Sequence, residues 1–119
     1  MKAFDFDGVI VPDLDYVDIE QGLFERVWLS INPVFEPKHN WIIITGRSSP
    51  KLIWAWCYRH LKNPPKMVYA NINNMKPEEH KLKILKELAL ANFVESDLDQ
   101  VGYLVANGID CVWFKAQYP

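Results

Sequence analysis

Two aspartates two positions apart, Asp5-Phe6-Asp7, are followed at once by Gly8 and Val9. Side chains two apart at a strand end point the same way. Two such carboxylates repel unless a proton or a cation separates them, and a divalent metal with oxygen ligands is the natural solution. Gly8 permits a sharp backbone turn beside them. The plain alternative is an acidic turn facing water. A second group, Thr45-Gly46-Arg47-Ser48-Ser49, offers a hydroxyl, a flexible glycine and a fixed cation, all useful for holding a phosphate. Read plainly, it is a strand-to-helix turn with a serine cap. Lys81 shares a helix face with Ile84, Leu85 and Leu88, so it lies on or beside an apolar stripe. It either seeks an anion or snorkels, its stem covering apolar surface. Finally, Glu95-Ser96-Asp97-Leu98-Asp99 sets three acids within five residues. Helix capping by Asp97 or Asp99 explains one of them, not all three.

The elements that must position these groups alternate along the chain. Strands are expected at Lys2–Phe6, Asn40–Thr45, Lys66–Ala70, Asn92–Glu95 and Asp110–Phe114. Trp41-Ile42-Ile43-Ile44 is apolar without alternation, which suits a strand covered on both faces. Helices are expected from Asp15 to about Ser30, from Pro50 to about Leu61 and from about Lys76 to Ala91. The last opens at Asp97 or Asp99 and stops near Asn107-Gly108. Strand–helix alternation predicts an α/β fold, a three-layer, doubly wound, Rossmann-like, five-stranded parallel sheet. Ligands of such sheets bind at the carboxyl ends of the strands, where the strand order switches. The four candidate groups fall, in order, at successive strand or helix ends.

Composition bounds the possibilities. The chain has 119 residues, 50% of them apolar and 24% charged, ordinary usage for one globular domain spanning residues 1–119. A net charge of −2 lacks the basic footprint of a nucleic-acid-binding domain, although a small local site for a strand end needs few cations. The longest stretch free of charged side chains, Gln100 to Ile109, is far short of a membrane span. Met1-Lys2-Ala3-Phe4 runs straight into an acid-bearing segment and is not expected to act as a signal peptide. Cys57 and Cys111, like His39, His60 and His80, lack metal-ligand spacing. Two buried thiols in a cytoplasmic protein are expected.

The order of the four groups resembles the haloacid-dehalogenase-like (HAD) phosphohydrolase superfamily. Phe4-Asp5-Phe6-Asp7-Gly8-Val9 is similar to its first motif, a strand ending in D-x-D-G-[TV]. Ile42-Ile43-Ile44-Thr45 is similar to the second, Lys81 to the third, and Glu95-Ser96-Asp97-Leu98-Asp99 to the acidic fourth. The resemblance runs from Lys2 to about Phe114. It implies a Mg²⁺-dependent phosphomonoester hydrolase with Asp5 as nucleophile, forming an aspartyl-phosphate. It implies Asp7 as acid and base, and Thr45 and Lys81 as holders of the transferring phosphoryl group. Mg²⁺ would sit on Asp5, on Asp7 through its carbonyl, and on Glu95 or Asp97. Gly8, Gly46 and Arg47 would line the substrate. Gly46-Arg47 after the threonine is similar to nucleotidases and phage-type polynucleotide 3′-phosphatases, which favours a nucleotide or a nucleic-acid end among small phosphorylated substrates.

One position departs from the family pattern. Ser96 stands where the second acid of the fourth motif is usual, so the metal-binding acid is open among Glu95, Asp97 and Asp99. A non-catalytic phosphate- or metal-binding module on the same fold is the alternative that this departure motivates. A receiver-like reading is disfavoured by the glycine after the paired acids and by the acidic later strand end. No stretch has room for a cap domain, so a capless type is implied. The helix bearing Trp54 and Trp56 is apolar nearly all round. Either it is deeply buried or it makes a homo-oligomer or partner surface.

Overall fold

The computed structural model describes residues 1–13 and 29–116. Five strands form one sheet: β1 (Lys2–Phe4), β2 (Trp41–Ile44), β3 (Val68–Tyr69), β4 (Asn92–Glu95) and β5 (Asp110–Trp113). All pairings are parallel, in the order β3-β2-β1-β4-β5. Three helices are described: α1 (Pro50–His60), α2 (Pro77–Glu87) and α3 (Leu98–Ala106). The helix expected from Asp15 to about Ser30 lies almost wholly outside the described residues.

The strands alternate their side chains between two apolar clusters. Phe4, Trp41, Ile43 and Val68 join Ile53, Trp56 and Cys57 of α1. Ala3, Ile42, Ile44 and Phe93 join Leu85 of α2 and Leu104 of α3. This explains why β2 is apolar at every position: each of its side chains has a core to enter, and all four are buried. A fully buried isoleucine contributes roughly 1.5–3 kcal/mol relative to exposure.

Helix ends follow local chemistry. Pro50 and Pro77 occupy first-turn positions of α1 and α2, where a missing N–H costs nothing. Asp97 caps α3, accepting hydrogen bonds from the Asp99 and Gln100 amides. α2 ends at Glu87, four residues before its expected limit at Ala91. The Leu90 amide donates to the Leu85 carbonyl and Ala89 to Lys86, with Ala89 at φ 54°. This is the same closing motif that ends α3, where Gly108 holds the left-handed position at φ 88°.

α1 buries one face and exposes the other. Ile53, Trp56 and Cys57 are fully enclosed, and the Trp56 indole donates to the Ile31 carbonyl at 2.8 Å. Trp54 stacks on the exposed Tyr58, 5.6 Å between ring centroids, on the outer side. Among the described residues, no helix is long and apolar enough to cross a membrane.

Candidate active site

The strand order reverses beside β1, whose neighbours are β2 and β4. The ends of β1 and β4 therefore flank the switch point, where a crevice opens. The cleft there has a volume of about 200 Å³. Among the residues lining it are Asp5, Asp7, Gly46, Arg47, Lys81, Glu95 and Asp97.

β1 ends at Phe4, two residues short of the expectation; the Asp5 amide still donates to the Val94 carbonyl of β4 at 2.9 Å, and the chain then turns. The amides of Val9, Ile10 and Val11 all converge on the Phe6 carbonyl, and Gly8 donates to Val11. Gly8 makes the turn possible twice over. Its φ is +81°, and a Cβ there would meet the Ser96 hydroxyl at 2.4 Å. The turn leaves Asp5 buried and Asp7 half-buried, both on the cleft.

The floor is a charge cluster. The Lys81 ammonium lies 2.6 Å from Glu95 Oε1, 3.3 Å from Asp5 Oδ1 and 2.7 Å from Gln100 Oε1. Its side chain is 2% exposed, so it is an anion partner rather than a snorkelling lysine. Burial pushes the Asp5 carboxyl well above its usual range; Lys81 opposes this, while Glu95 adds to it by charge and by hydrogen bond. Burial alone would lower the Lys81 pKa, but Asp5 and Glu95 outweigh it and the net direction is upward. Glu95 also accepts the Ser96 and Asp97 amides through Oε2, at 2.9 and 3.2 Å.

The wall is an ion pair. Arg47 grips Asp7 with both arms, Nε to Oδ2 at 2.7 Å and Nη2 to Oδ1 at 2.8 Å. Ser96 donates to the Asp7 backbone carbonyl at 2.9 Å, so its side-chain and main-chain acceptors are both engaged. Gly46 lets the chain pass Pro77, whose Cβ lies 3.1 Å from where a glycine replacement would place its own.

Several expected site residues stand apart from the cleft surface. Thr45 is fully buried and does not line the cleft; its hydroxyl accepts the Arg47 amide at 3.1 Å. Gly8 shapes the turn from behind. Asp99 is exposed and off the cleft, which leaves Glu95 and Asp97 as the acids of that segment that line it. Gln100, Asp13 and Pro77 line it unanticipated. For Gln100 a signal existed: it stands three residues after the Asp97 cap, the capping-box position. Its side chain serves Lys81 instead.

Among the described residues, no three His, Cys, Asp or Glu side chains converge as a complete metal centre. Mg²⁺ asks for less, since it keeps several waters and takes one or two carboxylates. The all-oxygen donors here, and two buried carboxylates sharing one ammonium, suit a hard cation in chemistry and charge. No family model matches the chain, and no curated protein or solved structure shows a significant likeness to it.

Proposed function

We propose that the protein is a Mg²⁺-dependent phosphomonoester hydrolase of HAD-like type, acting through an aspartyl-phosphate on Asp5. The observation that carries the reading is the meeting of Asp5, Asp7, Lys81 and Glu95 at one strand-switch cleft, from three widely separated parts of the chain. In this reading the fold is the capless, three-layer, doubly wound HAD-like core, and the protein is cytoplasmic, in keeping with two free cysteines.

Each residue then has a task. An Asp5 carboxylate oxygen attacks phosphorus while the bond to the leaving oxygen breaks, and Asp7 gives that oxygen its proton. Water next attacks the aspartyl-phosphate, Asp7 takes its proton, and the Asp5–phosphorus linkage opens to release inorganic phosphate. Lys81 offsets the negative charge of the site. Thr45 orients Arg47 by accepting from its amide, and its hydroxyl keeps a hydrogen to give but is buried behind the cleft wall. Asp5, the Asp7 carbonyl and Asp97 are the groups to hold Mg²⁺, with Glu95 committed to Lys81 beneath them. The cation would neutralise Asp5 and the phosphate, so that two anions can approach. The small cleft and the net charge of −2 favour a small phosphorylated substrate or a nucleotide or nucleic-acid end. Self-association through the Trp54–Tyr58 side of α1 belongs to the same reading.

Release of phosphate from an aryl phosphate is expected with Mg²⁺, and Asp5→Asn is expected to reduce it about a thousandfold or more. Full activity in Asp5→Asn would remove the nucleophile assignment. One observation favours a second reading, a phosphate-binding module without turnover: Ser96 already occupies the Asp7 carbonyl. Phosphate binding with no turnover of any monoester is its distinguishing result.

A further inference from the structure

We propose that Arg47 is a latch, holding Asp7 in the resting site and letting go when an anion enters the cleft. Anion binding and the Asp7–Arg47 pair then exclude each other. The inference deepens the reading above and rests on a phosphate-like ligand.

Two cations line the cleft among the described residues, and they differ in what they can give up. Lys81 has three N–H bonds, and three acceptors surround it: Asp5, Glu95 and Gln100. It is buried, so turning toward a ligand would strand a buried carboxylate, which is strongly unfavourable. Arg47 is different. Its side chain is 26% exposed and that of Asp7 is 14% exposed, so water can replace either partner as they separate. A guanidinium fork fits a phosphate as well as it fits a carboxylate. Arg47 also follows Gly46 on a strand-end turn rather than sitting within a helix. The latch is consequential because both oxygens of Asp7 already accept from Arg47, and a carboxyl held by both guanidinium arms is not free to swing toward a leaving group. Asp7 takes up its acid–base task only once Arg47 has moved to the anion.

Competition of this kind makes a counter-intuitive forecast. Removing the Asp7 charge frees Arg47 and tightens anion binding. Calorimetric titration with inorganic phosphate tests it on the intact chain, in a cycle of Asp7→Asn, Arg47→Ala and the double variant. Asp7→Asn is expected to lower the phosphate Kd about tenfold, a usual size for such coupling. In the Arg47→Ala background the same change isolates general charge repulsion and should move Kd by about threefold at most. Circular dichroism checks each fold, and Asp7→Ala replaces Asp7→Asn should the latter unfold. An unchanged Kd in Asp7→Asn, an equal gain in both backgrounds, or no phosphate binding in any variant overturns the latch. Turnover without this coupling would sink the latch and keep the phosphatase. Coupling without turnover would do the reverse.

Discussion

Two buried carboxylates and one ammonium form the floor of the cleft, and that imbalance governs the single residue Asp5. Its carboxyl is raised first by burial and then by Glu95, against the pull of Lys81. A raised acid takes up a proton on folding, so its contribution to stability falls as pH climbs from the unfolded value, about 4, through the folded one. Lys81 is raised as well, so its contribution also falls with rising pH, but it is a bonus that is complete below about 10.5 and lost only above it. The group proposed as nucleophile is therefore a cost to the cation-free fold. Asp5→Asn, measured by urea unfolding with chelator present, is expected to stabilise the protein at pH 8 by about 1–3 kcal/mol. The gain should shrink as pH falls and vanish below about pH 3, where Asp5 is protonated in both states. Destabilisation by Asp5→Asn at pH 8 would contradict this account of the cluster.

At the scale of elements, α2 and α3 close with the same hydrogen-bond motif but different residues in its left-handed position, Ala89 and Gly108. A β-carbon there is disfavoured, and glycine relieves the strain while adding some unfolded-state entropy. Ala89→Gly is expected to stabilise by about 0.5–1 kcal/mol, raising the melting temperature by about 2–4 °C in a tryptophan-fluorescence melt. A lower melting temperature would show that Ala89 is not strained. The same contrast shows what was legible in the sequence. Asn107-Gly108 announced the end of α3, whereas nothing marked Ala89, so α2 was expected to run on to Ala91. The five strands were legible because Trp41–Ile44 and its neighbours are apolar runs between turn residues. The turn after β1 was legible in Gly8, but not its exact start, since the strand-like run continues through Phe6 while the Phe6 carbonyl already gathers the Val9, Ile10 and Val11 amides locally. Asp5, Asp7, Lys81 and Glu95 were legible as candidates because each follows a strand or opens a helix. Their partnerships were not: the Arg47 grip on Asp7 and the Ser96 hydroxyl on its carbonyl join parts of the chain that only the sheet order brings together.

For the molecule as a whole, the sheet separates two apolar clusters, and its two thiols sit in different places relative to them. Cys57 is fully enclosed within the α1 cluster, whereas Cys111 lies half-buried on β5, the edge strand. Burial pushes the Cys57 thiol up to about 12, and pushes Cys111 up to about 11 with help from the charge of Glu95. The thiolate is the reactive form, and an unfolded cysteine near 8.5 supplies far more of it at pH 8. Alkylation with iodoacetamide at that pH should therefore be slowed about a thousandfold at Cys57 and about a hundredfold at Cys111, relative to the chain in urea. Access separates them further. An edge strand opens locally, at less than the full unfolding free energy, whereas the α1 cluster must come apart for Cys57 to meet the reagent. Mass spectrometry of timed aliquots should find Cys111 modified well before Cys57. Cys57 labelling should also rise with urea as steeply as global unfolding does, and Cys111 less steeply. Equal rates at the two thiols would mean that the α1 face opens as readily as the sheet edge, and that the two clusters do not act as one cooperative core.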